Sequence, residues 1–201
     1  DKFGGYVDTF TKAVIENDPA DPAALLESEY EGEKVQDALT EAIHVIGENM
    51  QVSNFKRLEV EGTGALVPYI HMGGKIGVLV EFEIEGIDPA TDEFQTYGRD
   101  VAMQVAAIPA VAANREQVPA EVIEHEMSIY KAQAAESGKP EAIQEKIATG
   151  RLEKFYKENC LTEQEFVKNS DQTIQQYTDA TAKQLGGTIK VVNFVRFALG
   201  E

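Results

Sequence analysis

The chain repeats itself, and the repeat limits the folds open to it. A shift of 139 residues lays "IGENMQVSNFKRLEV" (46–60) over "LGGTIKVVNFVRFAL" (185–199), so that Gly47, Val52, Asn54, Phe55 and Arg57 meet Gly186, Val191, Asn193, Phe194 and Arg196. A shift of 91 lays "DKFGGY" (1–6) over "DEFQTY" (92–97), with Asp1, Phe3 and Tyr6 meeting Asp92, Phe94 and Tyr97. Offsets that recur in the same order point to one supersecondary unit used twice.

Hydrophobic periodicity shows what each unit contains. Between Val35 and Ile46 apolar residues recur at 35, 38, 39, 42, 43 and 46, the helical period, and Gly47 stands where a left-handed cap would end the helix. "MQVSNFKRLEV" (50–60) then reads as a strand. Residues 65–85 read as two strands about Gly73-Gly74, followed by a helix through "EFQTYGRDVAMQVAA" that Pro109 stops. Residues 171–185 repeat the helix and 188–199 the strand. The second unit is therefore strand, strand, helix, insertion, helix, strand. The first reads helix, helix, strand, and we expect its opening hairpin to lie upstream of Asp1.

Inside the insertion, Ile123, Met127, Tyr130 and Ala134 are spaced four, three and four apart, the seam of a coiled coil. "SGKP" then turns into a second helix, with Gly138 capping and Pro140 opening. These readings give an α+β protein of two related subdomains, each a small antiparallel sheet packed with helices. The expected divisions are 1–62 for the first, 63–118 with 159–201 for the second, and 119–158 for an inserted helical-hairpin arm.

Charge and composition exclude whole classes of function. With 35 acidic residues against 18 basic ones, a net charge of -17 repels phosphate backbones and anionic membrane surfaces, so neither nucleic acid nor membrane is an expected partner. The single Cys160 has no internal disulfide partner, and no run approaches the ~20 apolar residues of a membrane span. A 43% apolar content is ample for a core. A reducing, cytoplasmic setting fits best.

The stretch "YIHMGGKIGVLVEFE" (69–83) places Gly73, Gly74 and Lys75 as a phosphate loop would. That loop needs a glycine and a hydroxyl where Tyr69 and Ile76 stand, so a nucleotide site is discarded. A hairpin explains the same letters: Met72 faces Lys75, His71 faces Ile76, Tyr69 faces Val78 and Val67 faces Val80. His71 then lies at the turn end of an apolar face with Tyr69, Ile76, Val78, Val80 and Phe82. It is either a core-edge histidine satisfied by backbone or water, or a side chain offered to a partner. Leu79, Glu81, Glu83 and Glu85 line the opposite, solvated face, where no histidine or aspartate joins the glutamates as metal ligands.

Other chemistry is thin. "HEMSI" (125–129) lacks the second histidine of a zinc-protease helix, His44 has no ligand four residues away, and Cys160 has no basic neighbour to activate it. No acid, base and nucleophile assemble. The expectation is a protein that is not an enzyme and carries no cofactor or metal.

Four segments in order, "HMGGKIGVLVE" (71–81), "DVAMQVAA" (100–107), "SGKPE" with "EKIATGRLEKFYKE" (137–158) and "CLTEQEFVKN" (160–169), resemble the translation elongation factor Ts family. The resemblance covers essentially the whole chain and implies the core, or dimerisation, region of a guanine-nucleotide exchange factor for elongation factor Tu. It lacks the three-helix domain with which the family usually begins. By resemblance, His71 contacts the partner's G domain, Met72, Gly73 and Gly74 shape that contact, and Phe166 with Val167 forms a second one away from the nucleotide. Lys168 stands where the family varies. The resemblance also implies a bacterial rather than organellar cytoplasm, and leaves open a homodimer through the core. The alternative is a binding or dimerisation module without exchange activity.

Overall fold

A computed structural model describes residues 2–200, so the correspondence of Asp1 with Asp92 lies outside the described residues. The chain divides into two compact units, Asp1–Glu59 and Val60–Glu201.

In the first unit, α1 (Lys2–Asn17) and α2 (Pro22–Glu27) lead to a two-stranded ribbon, β1 (Glu29–Tyr30) and β2 (Glu33–Lys34), and then to α3 (Val35–Ile46). Asp21 caps α2 by accepting from the Ala24 amide at 2.8 Å, and Pro22 opens it. The α3 stripe is as the periodicity predicts: Val35, Ala38, Leu39 and Ala42 are buried, and Gly47 at φ 80° ends the helix. A small core of Ala13, Val14, Leu25 and Val35 gathers Phe10, Leu26, Tyr30, Val52 and Phe55 around it.

The strand expected at 50–60 does not form. Residues 51–60 pack Val52 and Phe55 on that core but make no ladder. A strand exists only through inter-strand hydrogen bonds, and this segment makes none: among the described residues the first unit's ladder is the two-residue pairing of β1 with β2.

In the second unit the matching segment does pair. β3 (Gly64–His71), β4 (Ile76–Glu85) and β7 (Thr188–Ala198) form an antiparallel sheet in the order β3-β4-β7. The register matches the alternation, with Val67 opposite Val80, Tyr69 opposite Val78 and His71 opposite Ile76. Val67, Val78, Val80, Phe82 and Ile84 pack inward on α4 (Asp92–Ala107), which contributes Phe94, Tyr97, Val101 and Val105. Gly98 lets the helix approach this closely, because a Cβ there would lie 2.7 Å from a Val67 methyl.

A bulge interrupts β4–β7 between Glu81 and Phe82, and it turns Val191 and Phe194, three apart, onto the same core. Asn193 Oδ1 accepts from the Phe194 amide at 2.9 Å, as Asn54 Oδ1 does from Phe55 in the first unit. The repeated Val-x-Asn-Phe is thus a local bend written twice.

Between α4 and β7 run α5 (Ala120–Ala135) and α6 (Glu141–Asn159), which pack on one another, then the ribbon β5 (Glu165–Phe166) and β6 (Asn169–Thr173), then α7 (Ile174–Leu185). Val122, Ile123 and Tyr130 meet Leu152, Phe155 and Tyr156 around Ala112, Val118 and Cys160. Arg115 ties α6 to the segment after it: its guanidinium donates to Glu153 at 2.8 and 3.0 Å and to Glu163 at 2.5 and 2.8 Å, and lies over the Tyr156 ring. Thr173 and Gln176 form a reciprocal capping box that starts α7. No helix among the described residues is long and apolar enough to cross a membrane.

Candidate partner-contact surface

The β3–β4 turn is wider than the Gly-Gly turn expected. The ladder ends at His71–Ile76, and Met72, Gly73, Gly74 and Lys75 form a four-residue loop rather than a paired Met72 and Lys75. The reason is a run of left-handed backbone, with φ of 51° at Met72, 66° at Gly73 and 98° at Gly74. Only the two glycines take that conformation without a Cβ penalty, and the Gly74 amide closes the turn on the His71 carbonyl at 3.2 Å. The Leu199 amide donates to the Lys75 carbonyl at 2.8 Å, which ties the loop to the end of β7.

Alternation divides the residues around this loop between two faces. His71 is half-buried on the inner side, its Nδ1 2.9 Å from the Tyr69 hydroxyl and its ring stacked on the tyrosine with centroids 5.7 Å apart. One ring nitrogen is thereby occupied and the ring orientation set, which is how a histidine is prepared to offer its other nitrogen. Ile70 is exposed on the outer face and Met72 at the tip, at 66% and 62%. Register sets Ile70, Gly77 and Phe197 in one row, and Phe197 and Leu199 are also exposed. Glu83 and Glu85 are solvated as expected, whereas Leu79 and Glu81 are half-buried.

The second expected contact, Phe166 with Val167, separates into two roles. Phe166 is 4% exposed and stacks on Tyr177, with centroids 4.6 Å apart, so in this structure it supports the turn from below. Val167 is 44% exposed and is the side chain the turn presents. Phe166 ends β5 on the core side, and Val167 is the first residue of the turn that follows it.

The polar groups beneath this turn escaped the sequence reading. Gln104, fully buried on α4, accepts from the Val167 amide at 2.9 Å and donates to Gln164 Oε1 at 3.2 Å and the Glu165 carbonyl at 3.1 Å. One turn earlier, Asp100 accepts from Lys168 Nζ at 2.6 Å and from the Tyr177 hydroxyl at 3.0 Å. Burial, with the Asp100 carboxylate beside it, pushes Tyr177 up to about 12. The only signal available beforehand was a glutamine on the apolar stripe of a helix.

The discarded chemistry finds no support here. His44 and His125 are exposed, and among the described residues no group of histidine, cysteine, aspartate and glutamate could hold a metal ion. Cys160 is fully buried, and burial pushes its thiol up to about 11, away from nucleophilic use.

Comparison with known proteins agrees with the motifs. The family model described as "Elongation factor TS" matches residues 1–201. The chain is 46% identical to an elongation factor Ts of Trichlorobacter lovleyi, 43% to one of Clostridium tetani and 42% to one of Magnetococcus marinus, in each case over 100% of its own length. It spans 66% of the length of each of these relatives.

Proposed function

The chain belongs to the elongation factor Ts family, and on that premise we propose that it binds elongation factor Tu and promotes release of GDP from it. The whole-length family match carries this reading. The exposed β3–β4 loop and the Val167 turn supply two projecting, tethered contacts that suit it.

The chemistry required is binding alone. An exchange factor must hold the nucleotide-free partner more tightly than the GDP-bound one, and by linkage GDP then weakens its hold in equal measure. Each preference of about 1.4 kcal/mol shifts GDP affinity about tenfold. In this reading His71, oriented by Tyr69, and Met72 on its glycine turn engage the G domain, while Val167 binds elsewhere and fixes the docking angle. With -17 net charge, apolar contacts and shape carry affinity more than long-range attraction does. No bond is made or broken by this chain, and it needs no cofactor. The bacterial cytoplasm is the corresponding setting.

A second reading is favoured by the exposed apolar side chains of Ile70, Phe197 and Leu199: the chain serves as a binding or dimerisation module without exchange activity. The same experiment decides between them. Elongation factor Tu loaded with a fluorescent GDP analogue is chased with unlabelled GDP, alone and with this chain, and with the chain extended upstream to the length of its relatives. Faster release supports exchange, and binding without faster release supports the module. Neither binding nor acceleration by the extended chain overturns the proposal.

A further inference from the structure

We propose that Gln104, together with Asp100 one turn earlier on α4, is a positioning residue that holds the Val167 turn in the geometry a partner meets. The inference rests on the reading of Val167 as a partner contact.

Three observations carry it. First, Gln104 is out of keeping with its helix face. Phe94, Tyr97, Val101 and Val105 surround it in sequence as buried neighbours, and a buried amide is costly unless all its hydrogen bonds are made. All the bonds of Gln104 go to one segment: to the Val167 amide, the Glu165 carbonyl and Gln164. Gln164 is itself 2% exposed and donates to the Glu158 carbonyl at 2.9 Å and the Pro109 carbonyl at 3.4 Å, which anchors the network at the end of α6.

Second, the repeat supplies an internal control. At the same offset as Phe3 and Phe94, the first unit has Ala13 where Gln104 stands and Thr9 where Asp100 stands. Ala13 makes no side-chain hydrogen bond, and Thr9 bonds back to Gly5 of its own helix. The corresponding ribbon, β1–β2, turns instead through left-handed backbone at Glu31, φ 53°, and Gly32, φ 84°. Neither Val167 nor Lys168 has positive φ. One unit shapes its turn with backbone conformation, the other with side chains reaching up from the helix beneath.

Third, the tethers bracket the exposed residue. The Val167 amide is held by Gln104, Phe166 is held by stacking on Tyr177, and Lys168 is held by Asp100, which also takes the Tyr177 hydroxyl. The Val167 side chain is left exposed between these tethers. Ordering such a turn in advance removes a cost that binding would otherwise bear.

The test pairs Gln104→Met with Val167→Ala in a double-mutant cycle, reading affinity for nucleotide-free elongation factor Tu, with amide hydrogen exchange measured on the free proteins. We expect Gln104→Met to raise exchange of the Val167 amide about tenfold or more while the Val101 and Val105 amides stay protected. Binding should weaken about three- to tenfold, and the double variant should bind no worse than the weaker single one. Lys168→Ala, a surface change that leaves the core intact, should show the same non-additivity at smaller amplitude, and it decides the matter if Gln104→Met does not fold. Additive losses, or unchanged exchange at Val167, overturn the inference. If the unsubstituted protein does not bind elongation factor Tu, the proposed function falls, and exchange at Val167 still decides by itself whether Gln104 holds the turn.

Discussion

The two units carry the same phrase and fold it differently. Phe3 and Phe94 are equivalent by the repeat, yet Phe3 is 56% exposed and Phe94 fully buried. Val52-x-Asn54-Phe55 and Val191-x-Asn193-Phe194 make the same Asn-to-amide bond and turn both apolar residues inward, but only the second is a strand. Local sequence thus encodes the bend, the cap and the apolar stripe. Whether a segment becomes a strand depends on what lies beside it.

The comparison is broken most sharply by deleting the shared phenylalanine. Phe94→Ala should cost about 3–5 kcal/mol of stability, as a fully buried ring does, whereas Phe3→Ala should cost well under about 1 kcal/mol. Urea unfolding of the two variants gives the difference, and equal costs would mean that α1 is covered as α4 is.

Next in size is the exchange of small for large at the neighbouring repeat position. Gly98→Val drives a Cβ to 2.7 Å from a methyl of Val67, itself 3% exposed, and should cost about 1–3 kcal/mol by overpacking. The reciprocal Val7→Gly acts on a residue 45% exposed and should cost less than about 1 kcal/mol, mostly helix propensity.

A third pair should show no difference between units. Gly47 and Gly186 end α3 and α7 at φ 80° and 78°, with open space where a Cβ would go, so each Gly→Ala change should cost about 1 kcal/mol through backbone strain alone. Thermal melts that separate the two would show that one cap bears a load the other does not.

The smallest effect concerns pH. Arg115 holds the Glu153 carboxyl below its ordinary range, so the pair contributes stability that is present above the unfolded carboxylate value and lost as pH falls through the folded one. Between neutrality and about pH 5 nothing should change, and only below about 4.3 should the wild type approach the Glu153→Gln variant in stability. Both groups are partly exposed, so the difference is small.

Particular residues show what could be read before the fold was known and what could not. The α3 stripe, the Gly47 cap and the β3–β4 pairing from Val67–Val80 to His71–Ile76 all follow from local pattern, and all were expected. The loop at 72–75 was not, because Met72 adopts a backbone that methionine rarely takes. The burial of Phe166 depends on Tyr177, eleven residues on, and the role of Gln104 on a segment 60 residues away. Long-range pairing leaves no periodic trace.

The proposal that this chain acts on elongation factor Tu through the β3–β4 loop is tested most directly by His71→Ala. GDP release is followed by stopped-flow fluorescence with the chain extended upstream to the length of its relatives, and the melting temperature of each variant is measured beside it. We expect the substitution to slow factor-stimulated release about tenfold or more while the melting temperature stays within a few degrees. Unchanged stimulation, or a loss that merely follows unfolding, would contradict it and return His71 to the edge of the core.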